Sequence, residues 1–240
     1  MSRRSAPTSL PSLVLLPGLD GTGVLFRPLL EALPQEVATI VVSYPGDTAL
    51  GYSELLPIVL AGLPSDAPFV LVGESFSGPL AVMAAATHPP GLAGLVLCAS
   101  FIRNPHPYIP SFLAAMVRPP LFHLFPQFWQ AKALFGGYSS PRLRALMQDA
   151  LSRVSPAVLA CRVREVLRIN VARQLAACTV PILYLRARRD FVVPPWNVST
   201  IRRFCPQLKV VHLAAPHLAL QVATGQAAEA ITDFLHANVG

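Results

Sequence analysis

The stretch Phe69-Val70-Leu71-Val72-Gly73-Glu74-Ser75-Phe76-Ser77-Gly78, running on into Pro79-Leu80-Ala81-Val82-Met83-Ala84-Ala85-Ala86, decides the fold. Its apolar start reads as a buried strand and its small-residue end as a helix, so the segment between must turn sharply. A serine on such a strand-to-helix turn is a nucleophile elbow. The turn is tight, so the positions two before and two or three after the serine need small residues. Gly73, Ser77 and Gly78 supply them. The usual pattern has glycine where Ser77 stands. Taken alone, the hexapeptide Gly73–Gly78 also fits a glycine-rich junction without chemistry.

Outward from this turn, the first hundred residues alternate strand and helix signals. Apolar, β-branched runs occur at Ser12–Leu16, Val37–Ser43, Phe69–Val72 and Leu92–Ala99, each predicted as a strand buried on both faces. Helical stretches fall near Leu25–Leu33, Ser53–Leu63 and Ser77–Thr87. This alternation predicts an α/β fold with a mostly parallel central sheet flanked by helices. The pattern breaks after Ser100. Prolines and aromatics (Phe112, Phe122, Phe125, Phe128, Trp129) fill the next segment, and helices are predicted at Pro141–Leu151 and Pro156–Leu167. Strand signals resume at Val180–Leu185 and Leu208–Leu213, and Gln226–His236 closes the chain as a helix. The expected organisation is one core, residues 1–102 and 176–240, interrupted by a helical insert over 103–175.

Composition agrees with a single large domain: 240 residues, 53% hydrophobic and 13% charged. The 25 prolines are spread between apolar runs and indicate loops rather than disorder. The four cysteines (Cys98, Cys161, Cys178, Cys205) are far apart, which favours free thiols over zinc or a disulfide framework. No apolar run approaches the ~18 residues of a membrane span. Leu13–Leu16 is too short, and too broken by Pro11 and Pro17, for a secretory signal, so a cytoplasmic location is expected. The net charge is +7, and its placement is uneven. Ten basic residues face only Asp149 and Glu165 between Arg103 and Arg173, so the excess lies in the insert.

A serine hydroxyl needs a base, and the base needs an orienting acid. In an open α/β sheet such groups lie just beyond the carboxyl ends of strands. Asp190 stands there after Val180–Leu185, and His217 stands there after Leu208–Leu213. The order Ser75, Asp190, His217 is the one expected for this elbow. Each residue alone has an ordinary reading, Asp190 as a turn residue and His217 as a helix cap. An oxyanion would need two N–H donors: Phe76, at the start of a helix, and Leu19, in the loop Pro17-Gly18-Leu19-Asp20-Gly21-Thr22-Gly23. Phosphate binding is the other use of such a loop, but a P-loop lysine is missing and the glycine spacing is wrong for a dinucleotide. Asp20 is expected to order this loop through its backbone.

On these residues the chain resembles the α/β-hydrolase family of small serine esterases. The likeness rests on the Pro17–Gly23 loop, the Gly73–Gly78 elbow, Asp190 in Arg189-Asp190-Phe191-Val192-Val193-Pro194 and His217 in Pro216-His217-Leu218. In size and layout it is also similar to the esterases that remove the methyl ester from pimeloyl-carrier protein in biotin synthesis. The resemblance implies a serine carboxylic-ester hydrolase working without cofactor or metal, with the insert as a lid. Leu25, Phe26, Phe112, Phe125, Phe128, Val192 and Leu218 are then candidates for an acyl pocket. Arg142, Arg144, Arg153, Arg162 and Arg164 are candidates for contact with an acidic acyl carrier protein. For most single arginines, solvation of a helix face explains the charge equally well. No nucleic-acid module is present in the sequence. Thioesterase or lipase-like chemistry, or ligand binding without turnover, stay open as alternatives.

Overall fold

A computed structural model describes residues 10–119, 137–138 and 140–238. The strands are β1 (Ser12–Leu16), β2 (Thr39–Val41), β3 (Phe69–Glu74), β4 (Leu92–Cys98), β5 (Ile182–Ala187) and β6 (Lys209–Leu213). They form one sheet in the order β2-β1-β3-β4-β5-β6, with every pair parallel. Parallel pairing follows from the helices that intervene between successive strands: α1 (Arg27–Ala32), α2 (Tyr52–Ala61), α3 (Ser77–Ala85), α6 (Ala172–Ala177) and α7 (Trp196–Arg202). Helices α8 (Ala219–Val222) and α9 (Thr224–Ala237) end the chain.

The inner strands send alternate residues into two apolar layers, because side chains alternate across a strand. Val14, Leu16, Leu71, Leu95, Leu97 and Tyr184 pack under α2, α3 and α6. Leu13, Leu15, Val70, Val72, Val96 and Leu185 pack under α1 and α9. Each such leucine or valine contributes about 1.5–3 kcal/mol by leaving water. The expectation of strands buried on both faces fails for β2, whose three residues are all exposed. It lies at the edge of the sheet, where only β1 pairs with it.

The order of strands reverses between β1 and β3: the chain runs outward from β1 to β2, then returns to β1's other side. The crevice at this reversal, beyond the carboxyl ends of the strands, is where ligands settle in open α/β sheets. The loop after β1 and the elbow after β3 flank it, since Leu16 pairs with Gly73.

The basic segment leaves and rejoins the core at one neck. Arg103 and Asn170 form an isolated antiparallel bridge, and Val171 N–H donates to the Ile102 carbonyl at 2.8 Å. Within it, α4 (Pro141–Ser152) and α5 (Pro156–Arg168) each begin with a serine-proline pair. The Ser140 and Ser155 hydroxyls accept from the N–H groups of Leu143 and Val158. Proline at the first helical position needs no N–H partner, so each cap is complete at about 1 kcal/mol. Helix α6 packs into the core beneath α3 through Ala172 and Leu175. Among the described residues, no helix is long and apolar enough to cross a membrane.

Candidate active site

Ser75 has φ +49°, a left-handed value that a serine adopts only where its surroundings enforce it. The enforcement is visible in the neighbours. A Cβ on Gly73 would lie 2.7 Å from the Ser77 carbonyl oxygen, and one on Gly78 would lie 1.7 Å from Ser100 Oγ. Both positions therefore require glycine. Ser100 Oγ donates to the Ser75 carbonyl at 2.7 Å, and Tyr184 fixes Ser100 by donating to its carbonyl at 2.7 Å.

Ser77, the departure from the usual glycine, is fully buried and makes two bonds. Its Oγ donates to the Pro17 carbonyl and accepts from the Tyr44 hydroxyl at 2.7 Å. The side chain thus joins the elbow to the loop after β1. Burial pushes the Tyr44 hydroxyl well above its ordinary pKa, which keeps it a neutral donor.

His217 Nε2 lies 2.8 Å from Ser75 Oγ, and His217 Nδ1 lies 2.8 Å from Asp190 Oδ2. Carboxylate oxygens accept, so the Nδ1–H donates and Nε2 is left to accept from the serine. The histidine and aspartate side chains are 5% and 4% exposed, low enough that water does not compete for the bond. Asp190 Oδ1 accepts from the N–H groups of Val192 and Val193, both at 2.8 Å, so its own turn holds it. The three side chains expected from sequence are together, presented by the ends of β3, β5 and β6.

In the loop after β1 the five successive carbonyls from Pro17 to Gly21 are all occupied. Pro17 accepts from Ser77, Gly18 from the Gly21 N–H at 3.0 Å, and Gly21 from the Tyr44 N–H at 2.7 Å. Leu19 and Asp20 accept from the Arg162 guanidinium at 2.8 and 2.7 Å. Asp20 also behaves as expected within the loop, its carboxylate accepting from the Thr22 N–H and hydroxyl. Among the described residues, neither the Leu19 nor the Phe76 N–H donates to a protein acceptor. Phe76 is held by stacking on Tyr52 at 4.7 Å and by the Tyr52 hydroxyl, which donates to its carbonyl at 2.8 Å.

The pocket candidates divide. Leu25 and Leu218 meet Leu143, Leu146 and Ala150 of α4 in a small apolar cluster next to His217. Phe26 instead points into the layer under the sheet, and Phe112 is 72% exposed. Val192 is half-buried, and its carbonyl accepts from His106 Nε2–H at 2.9 Å. Phe125 and Phe128 lie outside the described residues. A groove of about 350 Å³ runs between α4 and α8, lined in part by Leu143, Leu146, Gln221 and Val222; it does not reach the three polar side chains.

The arginine candidates divide as well. Arg142, Arg144 and Arg153 are exposed, with Arg142 paired to Glu31 and Arg153 to Asp149. Arg164 is half-buried and donates to the Val117 carbonyl at 3.0 Å. Arg162 is corrected: at 1% exposure it cannot touch an outside partner, because its head group serves the loop after β1.

Several participants escaped the sequence reading: Tyr44, Ser100, Tyr184 and the buried pair Glu74 and Gln221. Glu74 lies just before the nucleophile position, and Gln221 Nε2 donates to it at 3.0 Å. Burial pushes the Glu74 carboxyl up to about 7, opposed in part by that hydrogen bond. Among the described residues, no cluster of His, Cys, Asp and Glu is arranged to hold a metal ion.

Residues 13–230 match the alpha/beta hydrolase family. A pimeloyl-[acyl-carrier protein] methyl ester esterase of Xanthomonas campestris pv. campestris is 28% identical over 95% of this chain and 96% of its own length. Polyketide synthase ThaQ of Burkholderia thailandensis is also 28% identical over 94% of this chain, which spans only 12% of that protein. Among solved structures, a thermophilic esterase from Thermogutta terrifontis superposes with a TM-score of 0.77 at 23% identity, covering 97% of this chain and 92% of the other.

Proposed function

The chain belongs to the alpha/beta hydrolase family, and from that premise we propose that it is a serine carboxylesterase working through an acyl-enzyme at Ser75. The observation that carries this reading is the unbroken chain of hydrogen bonds from Ser75 Oγ through His217 to Asp190, both links at 2.8 Å. In the proposed reaction Ser75 Oγ attacks the ester carbonyl while His217 Nε2 takes its proton. Asp190 keeps the imidazole in the required tautomer and stabilises the imidazolium. The tetrahedral oxyanion is met by the Leu19 and Phe76 N–H groups, each worth ~2.7–4 kcal/mol where one such donor has been removed elsewhere. The tetrahedral species collapses, the alkoxide leaves with the proton from His217, and water repeats the sequence to free the acid.

For the substrate we propose a short-to-medium acyl ester carried by an acyl carrier protein, with the methyl ester of a pimeloyl group as the leading case. Two observations support it: the Xanthomonas relative bears that name, and the excess positive charge of the sequence is concentrated between Arg103 and Arg173. Carrier proteins are acidic, and the exposed Arg142, Arg144 and Arg153 on and beside α4 offer them a complementary face. The insert would then act as a lid, with Leu25 and Leu218 beginning the acyl pocket.

The test is a chain-length series of p-nitrophenyl esters run beside a methyl-acyl carrier protein at increasing salt. Carrier cleavage should fall steeply with salt while small-ester cleavage holds, since exposed charges are screened within about 8–10 Å at physiological ionic strength. Equal salt responses would count against the carrier reading, and preference for the acyl thioester over the methyl ester would move the assignment to a thioesterase.

A further inference from the structure

Among the described residues Arg162 is the largest fully buried side chain, and its guanidinium forms no salt bridge with a carboxylate. Its charge is met by three backbone carbonyls from two loops of the core. Nη1 donates to Leu19 and Asp20, and Nη2 donates to Pro45 at 2.9 Å. The head group also lies over the rings of Tyr44 and Phe76, 5.6 and 5.9 Å from their centres. Gly21, at φ +72°, completes the fit: a Cβ there would lie 2.5 Å from Nη1. One turn along α5, Glu165 accepts from the Tyr52 N–H at the start of α2, at 3.1 Å. Helix α5 is therefore fastened to the core by two charged side chains that bond only core backbone at these points.

The orientation of a backbone N–H is set by its peptide plane and by the dihedrals on either side. The Gly18–Leu19 plane is fixed by the Gly21 N–H on the Gly18 carbonyl. The next two planes are fixed by Arg162 on the Leu19 and Asp20 carbonyls. Without the guanidinium, three carbonyls lose their donor together, and the segment carrying the Leu19 N–H loses two of its anchors.

We infer that Arg162 is a positioning residue for the oxyanion site: it holds the Leu19 N–H in place and so makes the rate of the chemical step depend on how α5 is docked. The inference rests on the esterase reading for the role of Leu19, but the clamp itself can be observed without turnover. A planar fork suits this task where an ammonium does not, because two nitrogens must reach different loops at once.

The experiment compares Arg162→Lys and Arg162→Gln with the wild type in three measurements. In kinetics on p-nitrophenyl esters, scaled to sites titrated by a fluorophosphonate, kcat should fall by about 10²–10³, the usual cost of losing an oxyanion donor. KM should move by less than about threefold, since the missing contact matters only in the transition state. A boronic acid that forms a tetrahedral adduct should bind more weakly by about the factor lost in kcat. In amide exchange of the free protein, the Gly21 and Tyr44 N–H groups should exchange at least about tenfold faster in the variants. Should Arg162→Gln fail to fold, Arg162→Lys carries the same readouts with the charge retained. An unchanged kcat per titrated site, or unchanged exchange at Gly21 and Tyr44, would overturn the proposal. A wild type inert toward every ester would overturn the esterase reading instead, and the exchange rates would still decide whether Arg162 clamps the loop.

Discussion

The Oγ of Ser77 donates to the backbone carbonyl of Pro17, so the residue that departs from the elbow's usual glycine is also the one that binds the elbow to the loop after β1. Tyr44 completes the arrangement by donating to the same oxygen. A serine is small enough for the turn and polar enough to satisfy a buried carbonyl. Restoring glycine should therefore harm the protein. Ser77→Gly leaves the Pro17 carbonyl and the Tyr44 hydroxyl without partners, at a cost of about 1–3 kcal/mol. Urea unfolding should show a lower midpoint at constant slope; an unchanged midpoint would mean that the two bonds contribute nothing net.

Asp190 is held by two N–H groups of its own turn and in turn holds His217. Asp190→Asn preserves the shape but offers an amide that can impose the wrong imidazole tautomer. Turnover of p-nitrophenyl esters should fall by about 10³–10⁴ while thermal stability changes little, on the pattern known for such triads. Loss of less than tenfold would indicate that another group orients His217.

Glu74 makes stability depend on pH in a predictable sense. Its carboxyl is pushed up from 4.5 to about 7 by burial. Between those values the folded protein keeps a proton that the unfolded chain has released. Stability must then fall as pH rises from 4.5 to about 7 and level off above, by roughly 3 kcal/mol from this group. Glu74→Gln stays neutral throughout, and its amide can donate to Gln221 Oε1, which is buried without a partner. The variant should lose that part of the slope and be the more stable protein at pH 8. Parallel stability curves for the two proteins would contradict this role for Glu74.

The sheet was legible because its inner strands are buried on both faces and so appear as unbroken apolar runs, as in Phe69–Val72 and Leu92–Cys98. The edge strand β2 carries the same kind of residues, Thr39-Ile40-Val41, yet is exposed, because position in a sheet is not written in three residues. Ser75, Asp190 and His217 could be found because each follows a strand, and strand order fixes which loops meet. The supporting residues could not. Ser100 acts on Ser75 through β3–β4 pairing, and Arg162 reaches Leu19 across 143 residues of sequence. In the sequence Arg162 is one of ten basic residues in a charged segment. Its neighbours on α5, Arg164 and Arg168, share its composition but not its burial, and helix periodicity alone does not say which face meets the core.

The central claim is that Ser75 is the nucleophile, and labelling by a fluorophosphonate tests it most directly. Intact-mass analysis of the wild type should show one added phosphonyl group, peptide mapping should place it on Ser75, and ester turnover should vanish as labelling completes. Ser75→Ala should fold with the same thermal midpoint within about 0.5 kcal/mol of stability, take up no label and show no turnover above solvent. Label on another residue, or esterase activity retained by Ser75→Ala, would contradict the assignment.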